Sequence, residues 1–143
     1  MFITPHFTLQ EMTASRVAQA QGMDNTPTAQ ALVNLRLLCQ TLEQVRKWVG
    51  AALIINSAFR SPALNLTVGG EPNSAHLLGL AADFTAVGIA PRQLAQRIYD
   101  SDILFDQLIL EFDSWVHLAV SHAAPRREVL TIRRGGGYLA GIR

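Results

Sequence analysis

One apolar run constrains this chain more than any other feature. Ala31, Leu32, Leu35, Leu38, Cys39, Leu42, Val45 and Val49 recur three and four positions apart. That period places them on one face of an α-helix. Thr26 and Pro27 supply an N-cap and a first-turn proline, and Gly50 is placed to stop the helix. The helix so predicted is about six turns long. Its oily stripe has to be covered by a second layer, and it is long enough to span one face of a sheet. The chain has 143 residues, the size of one domain of about 100–150 residues. One domain over 1–143 is therefore expected.

The remaining elements supply that second layer. Thr8 followed by Glu11 fits a capping box, which predicts a first helix over 9–19. Residues 52–56 are short, apolar and β-branched, and read as a strand. Residues 57–74 are rich in turn formers, with a short helix over 62–66. Strands are expected over 81–86, 107–112, 115–120 and 128–132, the middle two joined by a tight turn at Asp113–Ser114, and Pro91 opens a helix to residue 99. Helices early and strands late, with short connections, predict an α+β fold with a mostly antiparallel sheet and helices packed on it.

Charge excludes several classes of function. Twelve Lys and Arg stand against eleven Asp and Glu, so a dedicated nucleic-acid binder is not expected. One cysteine excludes an intramolecular disulfide and a cysteine zinc cluster. Cys39 lies on the helical stripe and reads as core. No apolar run reaches the length of about 20 residues needed to span a membrane. The first residues show neither a basic n-region nor an apolar stretch, so synthesis in the cytoplasm without a secretory signal is expected. A basic segment, 121–143, carries five arginines against one glutamate. It reads as a solvated terminus or as a segment drawn to an anionic polymer such as a wall glycan.

Polar side chains concentrate in three stretches: Ser57 to Arg60, Ser74 to Asp83, and Glu111 to His117. Within them His76, Asp83 and His117 are two imidazoles and a carboxylate, the ligand set that suits zinc. Three protein ligands leave a coordination position for water, as in catalytic zinc sites. On residue types alone, both ligation and a purely structural role stay open for each. His6 and His122 have no partner pattern.

The string Ser74-x-His76-x-x-Gly79-x-Ala81-x-Asp83, followed by Trp115-x-His117, resembles the D-Ala-D-Ala carboxypeptidase family of zinc peptidases. Within it, the branch holding bacterial D-Ala-D-Ala carboxypeptidases and phage cell-wall lysins is most similar. Phe7-Thr8-x-x-Glu11 and Asn25-Thr26-Pro27 resemble that group's opening, and Ser57-Ala58-Phe59-Arg60-Ser61-Pro62 its Ser-Gly-Tyr-Arg-Ser-Pro loop. Asn65-x-x-Val68-Gly69-Gly70, Phe105-Asp106-Gln107-Leu108-Ile109 and Glu111-Phe112 follow in the same order, so that the resemblance covers about residues 7–120. Ala58 stands where the family usually has Gly. Ser114 stands where many relatives carry an acid or a His.

The resemblance implies a Hedgehog/D-Ala-D-Ala peptidase-like fold and a zinc ion on His76, Asp83 and His117. It implies hydrolysis of peptide bonds in peptidoglycan, of carboxypeptidase or endopeptidase type. A carboxylate, Asp113 or Glu111, would serve as general base, with Asp113 slightly favoured because it is nearer in sequence to the last ligand. Arg60 would donate to the carbonyl oxygen or hold a substrate carboxylate. Ser57, Ser74 and Trp115 would stand beside the substrate. A monomer, with phage or prophage release bringing it to the wall, completes the expectation. Two alternatives are a non-catalytic wall-binding or virion protein that keeps the zinc fold, and a nucleic-acid accessory protein using the arginine tail.

Overall fold

The computed structural model describes residues 1–143. The long helix, α3, spans Ala29–Val49 and ends on Gly50 in the left-handed conformation (φ 69°), as its sequence predicts. Its start lies further on than expected. Thr28, not Thr26, is the N-cap, and its Oγ1 accepts from Ala31 N at 3.1 Å. Thr26 N is instead bonded by Asp24 Oδ1 at 2.9 Å, which leaves Pro27 ahead of the cap.

The expected first helix is two helices, α1 (Leu9–Thr13) and α2 (Arg16–Ala20). The capping box is present, with Thr8 Oγ1 and Glu11 Oε1 each accepting from the other's backbone N–H. The break after Thr13 has a tertiary cause. The carbonyls of Met12 and Thr13 are taken by Phe59 N and Asn25 Nδ2, so the helical ladder cannot continue, and Ser15 caps the next helix.

Two very short strands, β1 (Phe2–Thr4) and β2 (Phe7–Thr8), precede α1 and pair with each other. The main sheet contains β3 (Leu53–Ser57), β4 (Ala81–Ala86), β5 (Gln107–Glu111), β6 (Trp115–Ala119), β7 (Glu128–Ile132) and β8 (Tyr138–Ala140). Two further helices, α4 (Pro62–Thr67) and α5 (Pro91–Tyr99), and a 3-10 turn at Ala75–Leu78 complete the fold. The strand order is β3-β4-β6-β5-β7-β8, antiparallel except for the parallel pair β5 and β7. The fold is α+β, as expected. No helix is long and apolar enough to cross a membrane.

Alternation gives the sheet two different faces. Ala82, Phe84, Leu108, Leu110, Val116 and Leu118 pack with Leu35, Leu38, Leu42, Leu94 and Ile98 in one apolar core under α3 and α5. The other face carries Asp83, His117, Ile109 and Glu111. Residues 121–143 are not a free tail. They form β7, β8 and their connections, and their arginines are engaged. Arg126 grips Asp106 (Nη2–Oδ2 2.9 Å), and Arg127 stacks over Phe105 while donating to the carbonyls of Ser101 and Ile103.

Candidate metal centre and its cleft

Three elements bring the candidate ligands together. Ser74 Oγ accepts from His76 N and starts the 3-10 turn, and Gly79 ends it at φ 74°. A Cβ on Gly79 would stand 2.8 Å from the carbonyl oxygen of Ala31, so glycine lets this turn pack on α3. Asp83 and His117 are direct cross-strand partners on β4 and β6. All three side chains are buried.

His76 Nδ1 lies 2.7 Å from Ala58 O. A carbonyl only accepts, so the hydrogen sits on Nδ1 and the Nε2 lone pair is left for a ligand. Nε2 then faces Asp83 Oδ2 at 3.3 Å, and His117 Nδ1 faces Asp83 Oδ1 at 2.9 Å. Two ligands held at 2.0–2.1 Å by one tetrahedral zinc stand about 3.3 Å apart, so the donor set and its spacing fit that ion. The three donor atoms lie within 4.8 Å of one another. Burial alone would push the Asp83 carboxyl up, but its contacts with His117 and then His76 outweigh it and hold the group well below the usual carboxylate range. It is therefore an anion at neutral pH, as a metal ligand must be.

Arg60 is clamped behind this group. Its backbone N–H donates to His76 O. Its Nε donates to Ser57 Oγ at 3.1 Å, Nη1 to Asn65 Oδ1 at 3.2 Å and Nη2 to Asp83 Oδ2 at 3.4 Å. A guanidinium has five N–H bonds, so one on each terminal nitrogen remains free, and the side chain lines the cleft.

The two candidate bases separate. Glu111, at the end of β5, has Oε1 4.0 Å from His117 Nδ1 and lines the cleft. Burial, and after it the charge of Asp83, push its carboxyl up. Asp113 sits in the β5–β6 turn, where Phe112 and Asp113 both take left-handed φ (55° and 51°). That turn breaks the alternation, and Asp113 bonds Arg92 of α5 at 2.8 Å. Because α5 packs on the opposite face of the sheet, Asp113 is turned away from the metal group.

The other expected site residues divide in the same way. Ser74 lines the cleft and holds the His76 backbone, whereas Ser57 holds Arg60 from behind. Trp115 is the cross-strand partner of Glu111 and stacks edge-on against Phe112. Its buried indole Nε1 has no hydrogen-bond partner. His6 and His122 lie elsewhere, bonded to Glu43 and Asn34.

Sequence reasoning placed Asn25 and Asn65 in family-like strings but gave neither a role, and one is half-buried and the other buried. Asn25 donates to the carbonyls of Thr13 and Phe59 and accepts from Ser61 N. Asn65 accepts from Arg60 and donates to Glu71 O. An asparagine in a turn-rich stretch reads as a turn residue, and only three dimensions reveal such cross-links. The signal present was Gly70, where a Cβ would stand 2.0 Å from Asn65 Oδ1.

The cleft above these residues has a volume of about 730 Å³. It is lined by Gly70 and Glu71 of the loop before Ser74, by His76 and His117, and by Asp106, Glu111 and Tyr138 along the sheet. Among curated proteins, none matches the chain. The sequence model of one family, described as peptidase M15, does match, over residues 5–119. The matched stretch contains Arg60, His76, Asp83, Glu111 and His117 and ends on the last residue of β6. With that match over most of its length, the chain belongs to the peptidase M15 family.

Proposed function

We propose that the chain is a zinc peptidase that cuts peptide bonds in bacterial peptidoglycan, with D-amino acids beside the scissile bond. The observation that carries this reading is the His76–Asp83–His117 group at single-ion spacing with Glu111 beside it in an open cleft. When bound, zinc would supply Lewis acidity and an acidified water. Glu111 would take the proton of the attacking water and return it to the leaving amine. A carboxyl raised by burial suits that exchange near neutral pH. The free N–H groups of Arg60 would donate to the carbonyl oxygen as it gains charge. Geometry favours Glu111 over Asp113 as base. The motif likeness to the branch with phage lysins supports a role in phage or prophage lysis.

The test is digestion of muropeptides by the zinc-loaded protein, with products read by mass spectrometry. Loss of terminal D-Ala or cleavage of a cross-link is expected, abolished by a chelator and restored by zinc. His76→Ala should also lose stoichiometric zinc by elemental analysis. No product from any muropeptide would end this reading, as would full zinc retention by His76→Ala.

A further inference from the structure

On the open face of the sheet, cross-strand register aligns residues in rungs. One rung runs Asp83, His117, Ile109, Leu130 and Ala140, from β4 to β8. The next runs Trp115, Glu111, Ile132 and Tyr138. The metal group therefore sits over β4 and β6. The parallel addition of β7 and the edge strand β8 extend the same surface sideways, as an apolar floor of Ile109 and Leu130 that ends at Tyr138. All three line the cleft. Tyr138 is 58% exposed, and its hydroxyl makes no hydrogen bond within the protein. An exposed aromatic ring on the wall of a cleft is a contact surface that costs little conformational entropy to use. Burial, and then the charges of Glu111 and Glu71, push its phenol up, so the ring feels both acids across the cleft. Residues 120–143 lie beyond the stretch that matches the family.

We propose that the β7–β8 ribbon is an extended substrate subsite, and that Tyr138 at its outer edge selects peptides running several residues to the N-terminal side of the scissile bond. Strands in a sheet are about 4.8 Å apart, so β6 to β8 spans about 14 Å. An extended peptide covers that distance with about four residues at 3.3–3.6 Å each. A stem peptide crossing the strands from the metal group would lie over Ile109 and Leu130 and meet the Tyr138 ring with its fourth residue. A dipeptide would never reach the ribbon.

The proposal rests on the peptidase reading, and the experiment separates the two. The zinc-loaded chain is assayed on D-Ala-D-Ala, on its N-terminally extended tripeptide, on the pentapeptide stem ending in D-Ala-D-Ala, and on cross-linked muropeptides. We expect kcat/KM to rise with length up to the pentapeptide. Tyr138→Ala should lose about tenfold on the pentapeptide, the size of an aromatic contact, through KM with kcat held. It should match the wild type on any shorter substrate, with unchanged zinc content and melting temperature. Tyr138→Ala equal to wild type on every substrate that the wild type cleaves would overturn the subsite while leaving the peptidase intact, as would a dipeptide cleaved as well as the pentapeptide. Inactivity of the wild type on the whole set would overturn the peptidase reading and the subsite with it.

Discussion

Two acids two positions apart show what decides a residue's role here. Glu111 belongs to the regular part of β5 and is the direct partner of Trp115, so it shares a face with His117. Asp113 lies past the break in alternation and is held by Arg92. Glu111→Gln should therefore lower turnover by about 10²–10⁴, while Asp113→Asn stays within a few-fold, both keeping zinc. Steady-state kinetics on a muropeptide decide it, and the reverse pattern would move the base to Asp113. Arg60 and Asn65 give a second prediction. Arg60→Ala should lower kcat by about 10²–10³ if its free N–H groups act on the carbonyl oxygen. Asn65→Ala should lower kcat as well, because it frees one of the three anchors of the guanidinium. If Asn65 acts through Arg60, its effect should vanish in the Arg60→Ala background. A deficit that persists there would assign Asn65 to the loop alone. That His76, Asp83 and His117 form one buried group able to hold a metal was legible, because residue type and a family-like string coincide. Which of the two acids faces that group was not, since it depends on the left-handed turn at Phe112 and Asp113, which neither residue's chemistry announces.

At the scale of elements, segments of five residues or more with a clear pattern or cap were readable, and the two- and three-residue strands were not. β4, β7 and α5 fall where their patterns place them, and α3 ends where Gly50 requires. β1, β2 and β8 have two or three residues each, too few for a period of two to show. α1 and α2 divide because Asn25 and Phe59 claim the carbonyls between them, a long-range cause that local capping rules cannot contain. The start of α3 turns on one hydroxyl among neighbouring threonines. Thr28→Ala removes the acceptor for Ala31 N and should cost about 1 kcal/mol, whereas Thr26→Ala should be near neutral. Urea denaturation of the two variants separates them, and a larger loss at Thr26 would restore the cap expected from the Thr-Pro pair.

Across the whole molecule, the charged end of the chain changed meaning most. Five arginines near the terminus read as a solvated terminus or a segment drawn to an anionic polymer, yet Arg126 and Arg127 fasten the β5–β7 edge, and Arg143 bonds back to Ala140 O. Charge counting could not find this, because the partners are Asp106 and backbone carbonyls distant in sequence. The same packing that seats the sheet against α3 encloses Cys39, which is fully buried. Burial, and then the charges of Glu11 and Glu43, push its thiol from the ordinary 9.0 up to about 12. Between those values the unfolded chain holds fewer protons than the folded one, so stability falls as pH rises. The contribution is intact below pH 9.0 and is lost progressively as pH approaches about 12. At about pH 8 the native thiol is neither ionised nor reachable, so a thiol reagent should label the chain only as fast as it opens. Labelling should accelerate with urea in parallel with loss of helical signal, because reaching Cys39 requires α3 to leave the sheet. Rapid labelling of the native chain without denaturant would mean that this core opens locally, and that the helix–sheet interface is not one cooperative unit.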